Sequence, residues 1–295
     1  MDERTIEVNG ARLAYVERGS GVPVVLVHGS VNDWRTWRPQ LDALSSNFRV
    51  VAYSRRYAWP NQPIPDGVDD QMAPHVDDLL ALVRALDLAP AHVVGNSWGA
   101  FISLLAAMRE PDAIRTLTLE EPPLLPLLVS TPPRAREFLH LLVTRPRTAI
   151  ALLKFMATVF GPSVSALKRG NLEDSVRIFA QGVIGKDAYA ALPAEFHDQF
   201  RANAKTHAAQ FLGKGMPAVR AEDIARIRQP VLLLTGERSP ALFRRLIDRL
   251  AELLPHSERV VIPNASHVMH AQNPAAVNDA LLHLLRRNET TPAQP

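Results

Sequence analysis

Ser97 stands in "GNSWG", a G-x-S-x-G pattern at residues 95–99, between a β-rich run, "HVV", and an apolar run that starts at Trp98. A serine hydroxyl becomes a useful nucleophile only when a base takes its proton and a carboxylate orients and balances that base. The pattern therefore directs attention to histidines and acids elsewhere in the chain. Two histidines lie close together in "VVIPNASHVMH", His267 and His270. Two carboxylates are adjacent in "LTLEEPPLL", Glu120 and Glu121, at the end of a strand-like run and before Pro122 and Pro123. A buried carboxylate is costly unless paired, so two at one strand end mark either a surface turn or a working site. At the serine itself, Gly95 and Gly99 leave room for a strand to approach a helix closely. The backbone N–H of Trp98 would then point from a helix N-terminus at the place where an oxyanion forms.

The elements that must position these residues follow from periodicity. Strand-like runs cover residues 5–8, 12–17, 22–27, 49–53, 92–95 and 114–119, and, after a long gap, 230–236 and 259–263. Helical spacing recurs at Met72, Val76, Leu79, Leu80, Val83 and Leu86, nearly all round over 98–108, and again over 241–254 and 274–287. This alternation predicts an α/β fold with a mostly parallel sheet flanked by helices. Residues 122–229 break it, with helical patterns such as "REFLHLLV" and "AIALLKFMATVF" and no convincing strand. The expected organisation is a core domain of 1–121 and 230–295 interrupted by a helical cap, or lid, at 122–229, with "NETTPAQP" as a disordered end.

With 295 residues, 47% hydrophobic and 21% charged, the chain can bury one substantial core. Residues 122–229 carry 15 Lys and Arg against 8 Asp and Glu, although the whole chain has 33 against 30. Those cations are scattered among apolar residues, which suits a solvated helical surface or attraction of an anionic substrate better than nucleic-acid binding. The absence of cysteine excludes disulfides, thiolate metal sites and a cysteine nucleophile. A polar, acidic N-terminus and no apolar run of roughly 20 residues point to a cytoplasmic protein with no membrane partner. No residue pattern calls for a metal or another cofactor. The expected partner is a small-molecule substrate, and oligomeric state is not legible.

On these motifs the chain resembles the α/β-hydrolase fold family from about residue 6 to 285, the cap being the variable part. The resemblance implies a second oxyanion donor, the N–H of Ser30, in the His-Gly loop that reads "VLVHGS", and makes His28 a loop histidine rather than a base. It places the catalytic histidine after the last strand, at His267, with His270 as the spare candidate. Most relatives put the acid in a G-x-x-D turn after the preceding strand, where this chain reads "TGERS" with Ser239 in the acid's place and Glu237 two positions early. In some members, including haloalkane dehalogenases and zearalenone-type lactonases, the acid lies instead at the end of the strand after the nucleophile. That alignment falls on Glu121, with Glu120 and Glu237 as alternatives.

Trp34, Trp37, Trp59 and Trp98 all fall in segments expected at the carboxyl edge of the sheet and suggest an aromatic pocket, although Trp37 also suits helix packing. Where relatives often carry D-x-R-G-x-G-x-S, this chain reads "YSRRYAWP", a departure that loses two glycines and adds Arg55 and Arg56, which would either hold a substrate carboxylate or, preferably, pair with acidic residues. Asp33 is expected to cap a helix. The expectation is a cofactor-free serine hydrolase of a carboxylic ester or lactone, using Ser97, His267 and Glu121 with Ser30 and Trp98 as oxyanion donors. The rivals are a C–C bond hydrolase of β-diketone-like compounds and a non-catalytic, ligand-binding relative. Serine at the elbow argues against dehalogenase and epoxide hydrolase chemistry, which use aspartate there.

Overall fold

Near-continuous runs of Val, Ile and Leu suit strands covered on both faces, and here they build one eight-stranded sheet. The computed structural model describes residues 2–130, 134–214 and 216–289, so residues 290–295 of the tail expected to be disordered lie outside the described residues. The strands are β1 (Arg4–Val8), β2 (Ala11–Arg18), β3 (Pro23–Val27), β4 (Arg49–Tyr53), β5 (Ala91–Asn96), β6 (Ile114–Glu120), β7 (Val231–Gly236) and β8 (Ser257–Ile262). Their order is β1-β2-β4-β3-β5-β6-β7-β8. β2 pairs antiparallel with β1 and β4, and every other ladder is parallel. Each of the eight expected strands is present, within two residues of its expected ends.

The helices are α1 (Arg38–Leu44), α2 (Met72–Ala85), α3 (Trp98–Arg109), α4 (Ala135–Thr144), α5 (Pro146–Phe155), α6 (Gly161–Lys168), α7 (Leu172–Ile184), α8 (Lys186–Ala190), α9 (Ala194–Ala202), α10 (Ala204–Leu212), α11 (Ala221–Ile224), α12 (Ala241–Leu253), α13 (Met269–Gln272) and α14 (Pro274–Arg287). Side chains alternate across each strand, so β3 sends Val25 and Val27 to one face, with Phe101 and Leu246, and Val24 and Leu26 to the other, with Trp37 and Leu281. Helices α4 to α11 all fall between β6 and β7 in the chain.

One expectation needs correcting. Residues Pro146–Lys168 run through α5, a π-helical segment (Met156–Phe160) and α6 as 23 helical residues, long and apolar enough to cross a membrane by length and composition. Arg147 and Lys168 near its ends, Lys154 within it and the polar Thr148, Thr158, Ser163 and Ser165 break up the run in the sequence. Its inward side chains Ala149, Leu152, Phe155 and Val159 are buried in the protein.

Because β3 to β8 are parallel, their carboxyl ends share one edge, and the loops that follow β3, β5, β6, β7 and β8 converge there. The chemistry-bearing residues all come from those loops.

Candidate active site

The turn after β5 is strained in the way a displayed nucleophile requires. Ser97 has φ 51° and ψ −117°, a region L-residues rarely enter. A Cβ at Gly95 would lie 2.6 Å from Cα of Ala100, and one at Gly99 would lie 2.3 Å from the Val27 carbonyl oxygen, so neither position tolerates a side chain. The Ser97 N–H donates to the Glu120 carbonyl at 2.7 Å, tying the turn to the end of β6. Trp98 then opens α3 with its N–H free of any earlier helical turn.

The paired carboxylates diverge. Glu121 has φ 46°, a positive value that turns the chain sharply after β6. Its Oε2 accepts from Nδ1 of His267 at 2.7 Å, and its Oε1 accepts from the Thr235 hydroxyl at 2.6 Å and the Gly236 N–H at 3.1 Å. Glu120 instead accepts through Oε2 from Nδ1 of His270 at 2.8 Å and from Nδ2 of Asn96 at 3.2 Å. All four groups are buried. Two adjacent carboxylates thus serve two histidines three residues apart. His270 is enclosed further, with the Thr36 hydroxyl 2.8 Å from its Nε2 and the Trp37 ring packed at 4.5 Å.

Since a carboxylate can only accept, the His267 proton toward Glu121 sits on Nδ1, which leaves Nε2 as the basic nitrogen. That Nε2 is buried and makes no hydrogen bond among the described residues, Ser97 included. Ser97 and His267 share the walls of a cavity of about 20 Å³ with Ser30 and Asn96. Phe243 stacks on the imidazole at 4.2 Å and limits its tilt.

Glu237 and Ser239 do not reach this histidine. Glu237 is exposed and accepts from the Asn264 N–H, while Ser239 is buried with its hydroxyl unpaired among the described residues. His28 is a loop histidine: its Nε2 accepts from the Arg55 N–H at 2.9 Å and its Nδ1 lies 2.8 Å from the Gly29 carbonyl. Burial, with Arg55 beside it, holds its pKa well below the ordinary range, so it stays neutral with both nitrogens engaged.

The four pocket candidates Trp34, Arg55, Arg56 and Trp59 do not line the cavity beside Ser97. Arg55 lies buried under the loop after β3, donating to the carbonyls of His28 and Gly29 at 3.1 and 3.0 Å. Arg56 pairs with Asp78, as a basic side chain next to an acidic helix face does. Trp34 donates to Glu3, and Trp59 is partly exposed beneath the guanidinium of Arg35, 3.7 Å from its ring. Asp33 caps the turn at Trp34 as expected, accepting from the Arg35 N–H.

The cavity beside Ser97, of about 180 Å³, is lined by Trp98 and by five phenylalanines, Phe155, Phe160, Phe179, Phe211 and Phe243, mostly from the helices between β6 and β7. Ser30 and Gln210 supply its polar edge, the Ser30 hydroxyl donating to Oε1 of Gln210 at 2.7 Å. No charged side chain lines it among the described residues. A larger and more open cavity of about 470 Å³, with Asp66, Asp69, Lys205 and Lys214 in its lining, contains neither Ser97 nor His267.

Asn96, Thr235, Gly236, Gln210 and Phe243 were not anticipated. Asn96 was within reach, since it precedes the serine inside "GNSWG" and donates to both Glu120 and the His267 carbonyl. The others depend on long-range packing.

Residues 22–274 match the family model described as alpha/beta hydrolase fold. The chain belongs to the alpha/beta hydrolase family. Among characterised proteins it is similar to the (E)-2-((N-methylformamido)methylene)succinate hydrolase of Acinetobacter baylyi, 25% identical over 99% of this chain and 100% of that protein. Among solved structures it resembles a thermophilic esterase from Thermogutta terrifontis, with TM-score 0.75 and 21% identity over 98% of this chain and 100% of the other. It also resembles the enol-lactonase of Burkholderia xenovorans LB400, with TM-score 0.74 and 21% identity over 96% and 100%. At these identities the two structures speak for the fold alone.

Proposed function

We propose that this alpha/beta hydrolase family member is a cofactor-free serine hydrolase of uncharged carboxylic esters or lactones. The observation that carries the reading is the 2.7 Å contact of Glu121 with Nδ1 of His267, a histidine that lines a cavity together with Ser97. Ser97 Oγ attacks the carbonyl carbon as Nε2 of His267 takes its proton, and Glu121 holds the imidazole in that tautomer and stabilises the imidazolium. The N–H groups of Trp98 and Ser30 receive the oxyanion. The imidazolium protonates the departing alkoxide, and water, activated by the same nitrogen, hydrolyses the acyl-enzyme. The helices between β6 and β7 act as the cap that supplies the acyl pocket.

Substrate charge follows from the lining. A carboxylate placed among five phenylalanines would be buried without a cation, which costs several kcal/mol. This distinguishes the chain from its Acinetobacter relative, whose name specifies a succinate. C–C bond hydrolysis would use the same residues and belongs in the same substrate panel. A non-catalytic role would leave the strain at Ser97 and the His267–Glu121 contact without a purpose.

The test pairs a neutral aryl ester with the same ester carrying a carboxylate on its acyl chain, with Ser97→Ala as the blank. The neutral ester should have a kcat/KM at least about 100-fold higher, the kinetic equivalent of roughly 3 kcal/mol. Equal or inverted preference overturns the charge argument, and turnover that survives Ser97→Ala overturns the nucleophile.

A further inference from the structure

Outside the active site, α4 and α5 pack on each other as a hairpin. Each helix turns one side inward, Leu141 on α4 and Ala149, Leu152 and Phe155 on α5. The opposite side carries Leu139, Leu142 and Val143 on α4 and Ile150 and Leu153 on α5, each between 47% and 75% exposed. The other exposed large apolar side chains among the described residues, Trp59, Val68, Leu212 and Val261, come from four separate segments. Single exposed apolar residues are ordinary, whereas five on two packed helices mark an interaction surface.

Charge identifies the partner. No acidic residue occurs between Glu137 and Glu173, while Arg145, Arg147, Lys154, Lys168 and Arg169 fall in that interval and Arg136 just precedes it. Arg145 is paired with Glu252. Arg136, Arg147 and Lys154 are exposed and form no ion pair among the described residues. Pairing this face with a second copy across a two-fold axis would set those cations against one another with no acid to answer them. A protruding apolar ridge bordered by long cationic side chains suits an anionic lipid surface, with the apolar residues entering the headgroup boundary and the cations reaching the phosphates.

We infer that the α4–α5 hairpin docks this protein on anionic membranes. This is surface attachment and not spanning, because the inward side of the helical run that contains α5 is buried in the protein. It also has a geometric consequence. Phe155, on the inner side of α5, lines the cavity beside Ser97, so the docked helix separates lipid from the pocket by its own thickness. The docking does not depend on the proposed chemistry.

The test is co-sedimentation of the full chain with vesicles of phosphatidylcholine, alone or mixed with phosphatidylglycerol, at low and high salt. Binding is expected only to the phosphatidylglycerol vesicles and should weaken as salt rises. Each cation removed costs about fivefold in a surface of this kind, so Arg147→Gln with Lys154→Gln should weaken binding about 25-fold. Val143→Glu with Ile150→Glu should abolish it. Neither pair lines the cavity, so hydrolysis of a soluble ester and the melting temperature serve as folding controls. If the unaltered chain fails to sediment with phosphatidylglycerol vesicles at low salt, the inference is wrong. It is equally wrong if the chain is a dimer that Val143→Glu with Ile150→Glu dissociates, or if binding is indifferent to lipid charge.

Discussion

Replacing Glu121 by glutamine preserves the side chain's shape and asks which nitrogen of His267 carries the proton. In the native site Oε1 of Glu121 receives two donors, the Thr235 hydroxyl and the Gly236 N–H, while Oε2 receives Nδ1–H of His267. Glutamine has one oxygen and one NH2 for these two places. The Thr235 hydroxyl can rotate to accept, but the Gly236 N–H can only donate. Turning the NH2 toward it therefore leaves a buried donor unpaired, at about 1–3 kcal/mol. The amide will instead keep its oxygen on Gly236 and present its NH2 to His267. Nδ1 must then accept, the proton moves to Nε2, and that nitrogen can no longer act as a base. The orientational bias alone is about 5- to 150-fold, and loss of the negative charge beside the imidazolium carries the fall in kcat toward about 10⁴. KM should hardly change, because Glu121 does not line the cavity. Glu120→Gln is the control: its oxygen can stay with Asn96 and His270 while the NH2 takes the place of Oε1, which has no partner among the described residues. That variant should keep kcat within about tenfold and lose about 1–3 kcal/mol of stability. The assay is release of p-nitrophenol from a short neutral ester, with Ser97→Ala as the background and thermal melts for folding. A folded Glu121→Gln that retains more than a tenth of kcat, or a Glu120→Gln that falls as far, refutes the reasoning.

Other consequences are open to measurement. Gly99→Ala should cost more than about 3 kcal/mol in denaturant unfolding or prevent folding, because its Cβ would meet the carbonyl oxygens of Val27 and His28 at 2.3 and 2.5 Å. Arg55→Met should lower kcat about 10- to 100-fold, short of the loss of a whole oxyanion donor, by freeing the carbonyls that hold the Ser30 loop. Arg55→Lys should rescue little, since an ammonium lacks the fork that spans both carbonyls. His92 and His207 are pushed down to about 3, in both cases by burial first. The unfolded chain therefore binds protons below pH 6.5 that the folded chain refuses. Stability should fall as pH drops from about 6.5 toward 3, with each histidine withholding on the order of 2 kcal/mol at pH 4.5. Urea titrations at pH 7 and 4.5 read this directly, and His207→Gln should remove its share of the difference.

The inner strands were readable because they are buried on both faces, so their apolar runs are long and hard to mistake, as "VPVVLV" and "HVVG" illustrate. Ser97 stood out because a tight turn demands particular neighbours and leaves them in the sequence, whereas His267 was placed by the resemblance to the family. The pocket was not readable. Its five phenylalanines come from four helices and the π-helical segment, and helical periodicity reports which side of a helix is apolar without saying whether that side meets a core or a substrate. Arg55 was misread for a related reason. A cation in a loop near a site suggests an anionic ligand, yet here the two acceptors are backbone carbonyls, which no side-chain pattern reveals.

The adjacent carboxylates show where sequence logic stops and backbone geometry takes over. Alternation along a strand assigns Glu120 and Glu121 to opposite faces and would send one of them away from the histidines. The strand ends at Glu120, however, and the positive φ of Glu121 swings its side chain toward β7, onto the Thr235–Gly236 turn where most relatives carry their acid. Glu121 thus delivers a carboxylate to the familiar place from a different strand. Ser239, left without that duty, is buried and unpaired among the described residues. Glu120 occupies the position that alternation gives it and takes the second histidine, while Asn96 links it to the backbone of the first. On this geometry an acid moved back to residue 239 would find the turn's donors already committed to Glu121. Ser239→Asp in the Glu121→Gln background should therefore restore activity only in part, because the amide oxygen of residue 121 would still hold the Gly236 N–H.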